Sequence, residues 1–194
     1  MTAAVQIRPA RPEDVAAIVR LNNQFADALL MLRRSPQAVA LSIQDFVVAL
    51  AADGELMGCG SLKEYSPSVA EVAAIAVAPE AQGLGVGRAV VQAVERLARK
   101  RDVFDVFALT LQPAFFAACG YVHVDRARYP EKIRRDCLGC ARRFACDEHC
   151  FAKNLHVEMP RPVEASRDQG LSLVDHPPCV TEGGQGVPTL HIAA

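Results

Sequence analysis

Three glycines on alternate positions stand in the run Gln82-Gly83-Leu84-Gly85-Val86-Gly87-Arg88, which follows the apolar stretch Val72 to Val77 and its terminating Pro79. Glycine lets a backbone curl until successive N–H groups converge on one point. Val90, Val91, Val94, Leu97 and Ala98 recur at helical spacing and predict a helix over 87–100; its positive end adds to the field of those amides. Such a turn suits a pyrophosphate, with Arg88 as a charged partner. The spacing is not the dinucleotide fingerprint, and no Lys-Ser/Thr pair follows the last glycine as in a P-loop. A flexible turn that merely starts a helix is the alternative on these residues alone.

A second candidate chemistry lies in the cysteines. The chain has seven, an odd number, and Cys137, Cys140, Cys146 and Cys150 fall close together. In a reducing compartment a local cluster favours metal or redox chemistry over disulfides. Four thiolates could close a tetrahedral zinc site and order the segment around it; free thiols on a solvated loop are the alternative. The surrounding cations, Lys132, Arg134 and Arg135 among them, could offset that charge or draw an acidic substrate. Cys59 and Cys119 read as small buried apolar residues, and Cys179 as a free thiol.

The elements that must position these residues follow from pattern. Val5 to Arg8 alternates as a strand, and Pro12, Glu13 and Asp14 open a first helix. Ser35-Pro36 starts a second, running to about Ile43. Phe46 to Ala52 and Glu55 to Lys63 are strands joined by an Asp53-Gly54 turn. A loop over 64–69 precedes the continuously apolar strand Val72 to Val77, which reads as central. Strand Val106 to Leu111, helix Pro113 to Cys119 and strand Tyr121 to Val124 follow, then an irregular stretch 126–149 and a closing strand Cys150 to Leu155. This order predicts an α/β fold, a mixed, mostly antiparallel sheet with helices on both faces. The expected division is one domain over 1–155, with a cysteine-rich insert at 126–150, and a disordered tail over 156–194, with a docked segment near Leu190 to Ile192.

Composition narrows the partners. Lysine plus arginine (21) nearly balances aspartate plus glutamate (22), so no global field recruits nucleic acid or an anionic membrane. No apolar run approaches the roughly 20 residues of a membrane span, and Arg8 and Pro9 interrupt the N-terminal segment early. The expectation is a cytoplasmic protein acting on small molecules, with a homodimer left open.

Val77-Ala78-Pro79 leading into Gln82, Gly85 and Gly87 resembles the acetyl-CoA signature of the GNAT N-acetyltransferase superfamily, whose fold matches the element order from Val5 to Leu155. Met31-Leu32-Arg33-Arg34-Ser35, Gly58-Cys59-Gly60-Ser61-Leu62, Ala70-Glu71-Val72 and Phe107-Ala108-Leu109-Thr110 resemble, in order and spacing, the short form of N-acetylglutamate synthase. The segment from Pro130-Glu131-Lys132 to Cys146-Asp147-Glu148 is similar to a cysteine-bearing subset of these synthases. The resemblance implies that backbone groups of Ile75, Ala76 and Val77 pair with pantetheine. It implies too that Gln82, Gly83, Leu84, Gly85, Val86, Gly87 and Arg88 hold the pyrophosphate. The implied reaction is acetyl transfer from acetyl-CoA to the α-amine of L-glutamate, the first step toward arginine. Another small amine as acceptor, or a non-catalytic acetyl-CoA sensor docking a partner through its cysteine loop, are the rivals.

Acyl transfer to an amine needs the reactants held close, which can supply about 7–11 kcal/mol of the barrier. It also needs charge stabilisation at the carbonyl oxygen, worth about 3 kcal/mol per donor. The resemblance makes Glu71 the base, directly or through water; on residues alone it is a carboxylate at a strand end. Thr110 resembles the family's hydroxyl position, where it could bond the thiolate or the tetrahedral intermediate, a β-branched strand residue being the plain reading, and the Ile75 N–H would polarise the carbonyl. Arg34 matches the substrate arginine, with Leu32 offering backbone contacts and Arg33 as the neighbouring alternative; a solvated arginine pair is the plain reading. Two departures stand out. Phe116 occupies the place of a tyrosine found in many superfamily members, and no arginine-serine pair near 150–155 supplies a second carboxylate contact.

Overall fold

The computed structural model describes residues 5–156. A seven-stranded sheet runs in the order β1-β2-β3-β4-β5-β7-β6. Its strands are β1 (Gln6–Pro9), β2 (Phe46–Leu50), β3 (Leu56–Ser66), β4 (Val69–Val77), β5 (Asp105–Thr110), β6 (Val122–His123) and β7 (His149–Asn154). All neighbours are antiparallel except β4 and β5. The sheet is therefore mixed and mostly antiparallel, as expected, and β2 is buried along its whole length.

Helices α1 (Val15–Asp27) and α3 (Val86–Lys100) lie on opposite faces. Consecutive residues of β3 show this, because successive side chains of a strand point to opposite sides. The Cys59 thiol meets Asn22 of α1, whereas a Cβ at Gly60 would lie 2.8 Å from Val90 of α3. Gly60 thus lets α3 approach the sheet closely, and Val90, Val91, Val94 and Ala98 complete that side of the core. Short helices α2 (Pro36–Leu41) and α4 (Pro113–Ala118) each begin with proline; in α2 the Ser35 hydroxyl caps the amide of Ala38.

Two expectations are corrected. Residues 64–69 are not a loop: β3 and β4 run on to a tight hairpin, pairing Glu64 with Ala70 and Ser66 with Val69. Polar Lys63, Glu64 and Tyr65 mask the strand because their partners lie far away in sequence. The stretch 126–149 is not irregular throughout. Pro130 opens a helical turn, α5 (Pro130–Lys132), that widens into a π-type turn over Ile133–Cys137. Tyr129 anchors it, stacking on Phe107 of β5 at 4.0 Å between ring centroids. The expected docked segment near Leu190 to Ile192, and the tail to which it belongs, lie outside the described residues.

The feature that creates a site is where β4 and β5 stop pairing. They share three rungs, Val69 to Glu71 against Asp105 to Phe107, and then part. Beyond Glu71, residues 72–77 and 109–112 face one another across a cavity of about 1430 Å³.

Candidate active site

A bulge re-aims β4 where it lines this cavity. Cys59 pairs with Ala76 and Ser61 with Ala73, so Ala74 and Ile75 have no register partner on β3. Ala74 sits at φ +54°, a left-handed conformation uncommon for a side-chain-bearing residue and typical of strained functional positions. Ala76 is buried and offers only backbone, and Ile75 and Val77 pack on the core edge.

The glycine turn lies at the same end. Gly83 and Gly85 take φ +75° and +81°, and a Cβ on either would meet nothing within 4 Å. Their need is conformational, then, and the space in front of them is open. Gly87 differs: a Cβ there would lie 3.1 Å from the Phe115 ring, so it permits α3 to pass α4. Among the described residues, no backbone or capping side-chain group accepts the amides of Gly83 through Arg88. A row of unclaimed amides at the positive end of a 15-residue helix fits a pyrophosphate. Gln82 braces the turn by donating Nε2 to the Val77 carbonyl at 3.2 Å. Arg88 and Leu84 are exposed; Val86 turns its side chain into the core, leaving its amide for the cradle.

Glu71 ends the paired part of β4 and is 5% exposed. Its Oε2 accepts from Lys132 Nζ at 2.9 Å and from the Tyr65 hydroxyl at 2.8 Å, while Oε1 takes no bond from the described residues. Lys132 also reaches Asp136 at 3.0 Å, and Lys63 reaches Asp136 at 2.7 Å. The Tyr65 hydroxyl is equally within reach of Asp136, so its single proton is shared between the two carboxylates. Burial opposes the charge on Asp136, but the bonds from Lys63, Tyr65 and Lys132 outweigh it and hold the carboxyl below its usual range. Burial likewise opposes the Lys132 ammonium, and the carboxylates of Glu71 and Asp136 prevail and raise its pKa. Glu148 lines the same cavity; burial, and then the charge of Glu71, push its pKa up. Thr110, nearly buried at the end of β5, accepts from the Gln112 amide at 2.8 Å, which leaves its hydroxyl proton to donate elsewhere.

The segment between α1 and α2 closes another side of the cavity. Asn23 fixes it reciprocally, accepting from the Arg34 amide at 3.0 Å and donating to the Arg34 carbonyl at 3.1 Å. Arg34 rests over the Phe46 ring at 5.9 Å, and its guanidinium has no carboxylate partner among the described residues. Arg33 instead pairs with Asp27 at the surface, and Leu32 is exposed at the rim.

The cysteines do not converge. Among the described residues, no three His, Cys, Asp or Glu side chains are placed to hold a metal ion, which corrects the expectation of a zinc site. Cys150 belongs to β7 and packs with Phe107, Tyr129 and Ala152; burial, and then the charge of Glu71, lift its thiol to about 11. Cys146 faces Arg126 and Glu148, Cys140 lines the cavity, and burial raises Cys137. Lys132, Asp136 and Tyr129 tie the insert to the sheet.

Asp136, Tyr65 and Glu148 were not among the expected site residues, and Lys132 was expected only as one of the cations beside the cysteines. Lys63 and Tyr65 share a strand face, and Lys132 and Asp136 stand four apart on a helix, but neither spacing identifies the partner. The distance from Tyr65 to Asp136 along the chain hides the pairing.

An open glycine-helix cradle, a β4–β5 cleft and a buried carboxylate at its apex define a CoA-dependent N-acyltransferase. The model of the acetyltransferase (GNAT) family matches residues 17–123, and the chain belongs to that family. An uncharacterized N-acetyltransferase of Chlorobaculum tepidum is 37% identical over 149 residues, covering 77% of this chain and 96% of that protein. An amino-acid acetyltransferase of Mycobacterium tuberculosis is 33% identical over 121 residues, 61% of this chain and 69% of that one. Among solved structures, N-acetylglutamate synthase from Neisseria gonorrhoeae complexed with coenzyme A and N-acetyl-glutamate superposes with a TM-score of 0.72. That match, at 28% identity, covers 81% of this chain and 36% of the synthase. A Mycobacterium tuberculosis protein in complex with CoA gives a TM-score of 0.66 at 27% identity, over 77% of this chain and 99% of that one. No helix among the described residues is long and apolar enough to cross a membrane.

Proposed function

We propose that this acetyltransferase moves the acetyl group of acetyl-CoA onto the α-amine of L-glutamate, the first step toward arginine. One observation carries the reading. Arg34, whose guanidinium has no carboxylate partner among the described residues, lines the same cavity as Glu71 and the glycine turn whose amides no described residue claims. The cavity therefore combines a place for a diphosphate, a base and a binder of substrate carboxylate. The amino-acid acetyltransferase and N-acetylglutamate synthase relatives support the same assignment.

Acetyl-CoA, when bound, supplies the activated acyl carbon; the amides of Gly83 through Arg88 hold its diphosphate. The Ile75 amide, which the bulge leaves without a register partner on β3 and which lines the cavity, is the donor to the acyl oxygen in this reading. Glu71 accepts the proton of the amine through Oε1, while Lys132 and Tyr65 keep Oε2 fixed. Thr110 is the donor to the departing sulfur, the role that Phe116 cannot fill. Arg34 grips a substrate carboxylate.

The test is CoA thiol release from acetyl-CoA with a panel of amines. Glutamate is expected to give the highest kcat/KM. Acetylation of other amines with none of glutamate overturns the assignment, and tight CoA binding without turnover of any amine points to a sensor instead.

A further inference from the structure

The basic residues lining the acceptor end of the cavity are mostly spoken for. Arg33 holds Asp27, Lys63 holds Asp136, and Lys132 holds both Glu71 and Asp136. Two guanidiniums there have no carboxylate partner among the described residues, Arg34 and Arg135. Arg135 comes from the cysteine-rich insert, stacks over the Tyr65 ring at 4.6 Å and donates Nη1 to the Glu64 carbonyl at 3.0 Å. A guanidinium fixed by one backbone bond and an aromatic face keeps its remaining N–H groups for a ligand, at little further entropic cost. The two arginines also line the same spaces. Arg34, Lys63 and Arg135 line both the main cavity and an adjoining one of about 360 Å³, so they form the wall the two spaces share.

We infer that Arg135 is the contact for the side-chain carboxylate of the acceptor, with Arg34 holding the other, and that the site selects α-amino dicarboxylates. Two unpaired guanidiniums on one wall match two carboxylates on one substrate. The insert therefore supplies what the end of the sheet, with no arginine-serine pair near 150–155, does not. Asp136 and Glu148 line the same cavity, and their negative charge leaves the guanidiniums as the places where a second carboxylate is welcome. This inference rests on the glutamate reading and deepens it.

The experiment compares kcat/KM for glutamate and glutamine, which differ in one carboxylate, in the wild type, Arg135→Gln and Arg135→Lys. KM for acetyl-CoA and the unfolding midpoint are measured alongside. Loss of a charge-assisted contact is expected to lower kcat/KM for glutamate by about tenfold to a hundredfold in Arg135→Gln. Glutamine turnover and KM for acetyl-CoA stay within about threefold, the scatter of a site left otherwise intact. Arg135→Lys recovers part of the loss. If Arg135→Gln lowers both amines equally, or neither, while the wild type prefers glutamate, the inference falls and the function stands. If the wild type shows no preference for glutamate, both fall together.

Discussion

Replacing Gly85 with alanine separates the backbone geometry of the cradle from its chemistry. Gly85 sits at φ +81° and caps α3, and a Cβ there meets nothing within 4 Å. The folding cost is therefore that of a left-handed residue alone, about 1–2 kcal/mol. Gly54, in the β2–β3 turn, is the control: its φ is +89°, its Cβ position is equally open, and it does not line the cavity. Gly85→Ala and Gly54→Ala should lower the urea midpoint alike. Only at Gly85 does the change reach the donor site. Alanine either holds its methyl group in the open space or relaxes the turn and swings the amides away. Loss of one bond to a charged acceptor, about 1.5–3 kcal/mol, corresponds to a roughly ten- to 150-fold weaker grip on CoA. The assay is CoA affinity by calorimetry, together with KM for acetyl-CoA in a thiol-release assay. Unchanged CoA affinity in Gly85→Ala, or an equal loss in Gly54→Ala, would refute the claim that these amides hold the diphosphate.

Lys132→Met strands the Glu71 carboxylate, whose side chain is only 7% exposed, and should cost about 3–5 kcal/mol in urea unfolding. Adding Glu71→Gln to that variant should restore most of the loss. Glu71→Gln alone should lower kcat by about 10²–10⁴-fold while leaving KM for acetyl-CoA unchanged, as expected of a proton acceptor remote from the cradle. Asp136 is held below its ordinary value of 3.8, so its contribution is present above that pH and is lost as pH falls through the depressed value. Lys132 is raised above 10.5, so its contribution holds below that pH and is lost as pH rises beyond it. Unfolding midpoints measured across acid pH should thus fall more steeply for the wild type than for Asp136→Asn, which has no charge there to lose.

Local pattern was enough for most elements. The 3.6-residue stripe from Val90 to Ala98 marked α3, Pro79 marked the end of β4, and Ser35-Pro36 marked the start of α2, because caps and periodicity act within a few residues. The glycine turn could be read for the same reason: φ of +75° and +81° at Gly83 and Gly85 are demands that only their own backbone makes. The hairpin at 66–69 and the helical turn at 130–137 escaped that reading. Their polar side chains look solvated until Tyr65 and Lys63 meet Lys132, Arg135 and Asp136 across the fold.

The resemblance marked Glu71, Thr110 and Arg34 as positions, yet what surrounds them depends on contacts between distant segments. The expected zinc site shows the converse error: cysteine spacing looked like a ligand set, and the fold spent those thiols separately, Cys150 on a buried strand and Cys146 beside Arg126. Short-range stereochemistry sufficed for the diphosphate cradle, because a glycine turn and a helix start are built from consecutive residues. The surroundings of the proposed acceptor site depend on the parting of β4 from β5 and the return of the insert across β3, since charges far apart in the chain can neutralise one another only once packing brings them into contact.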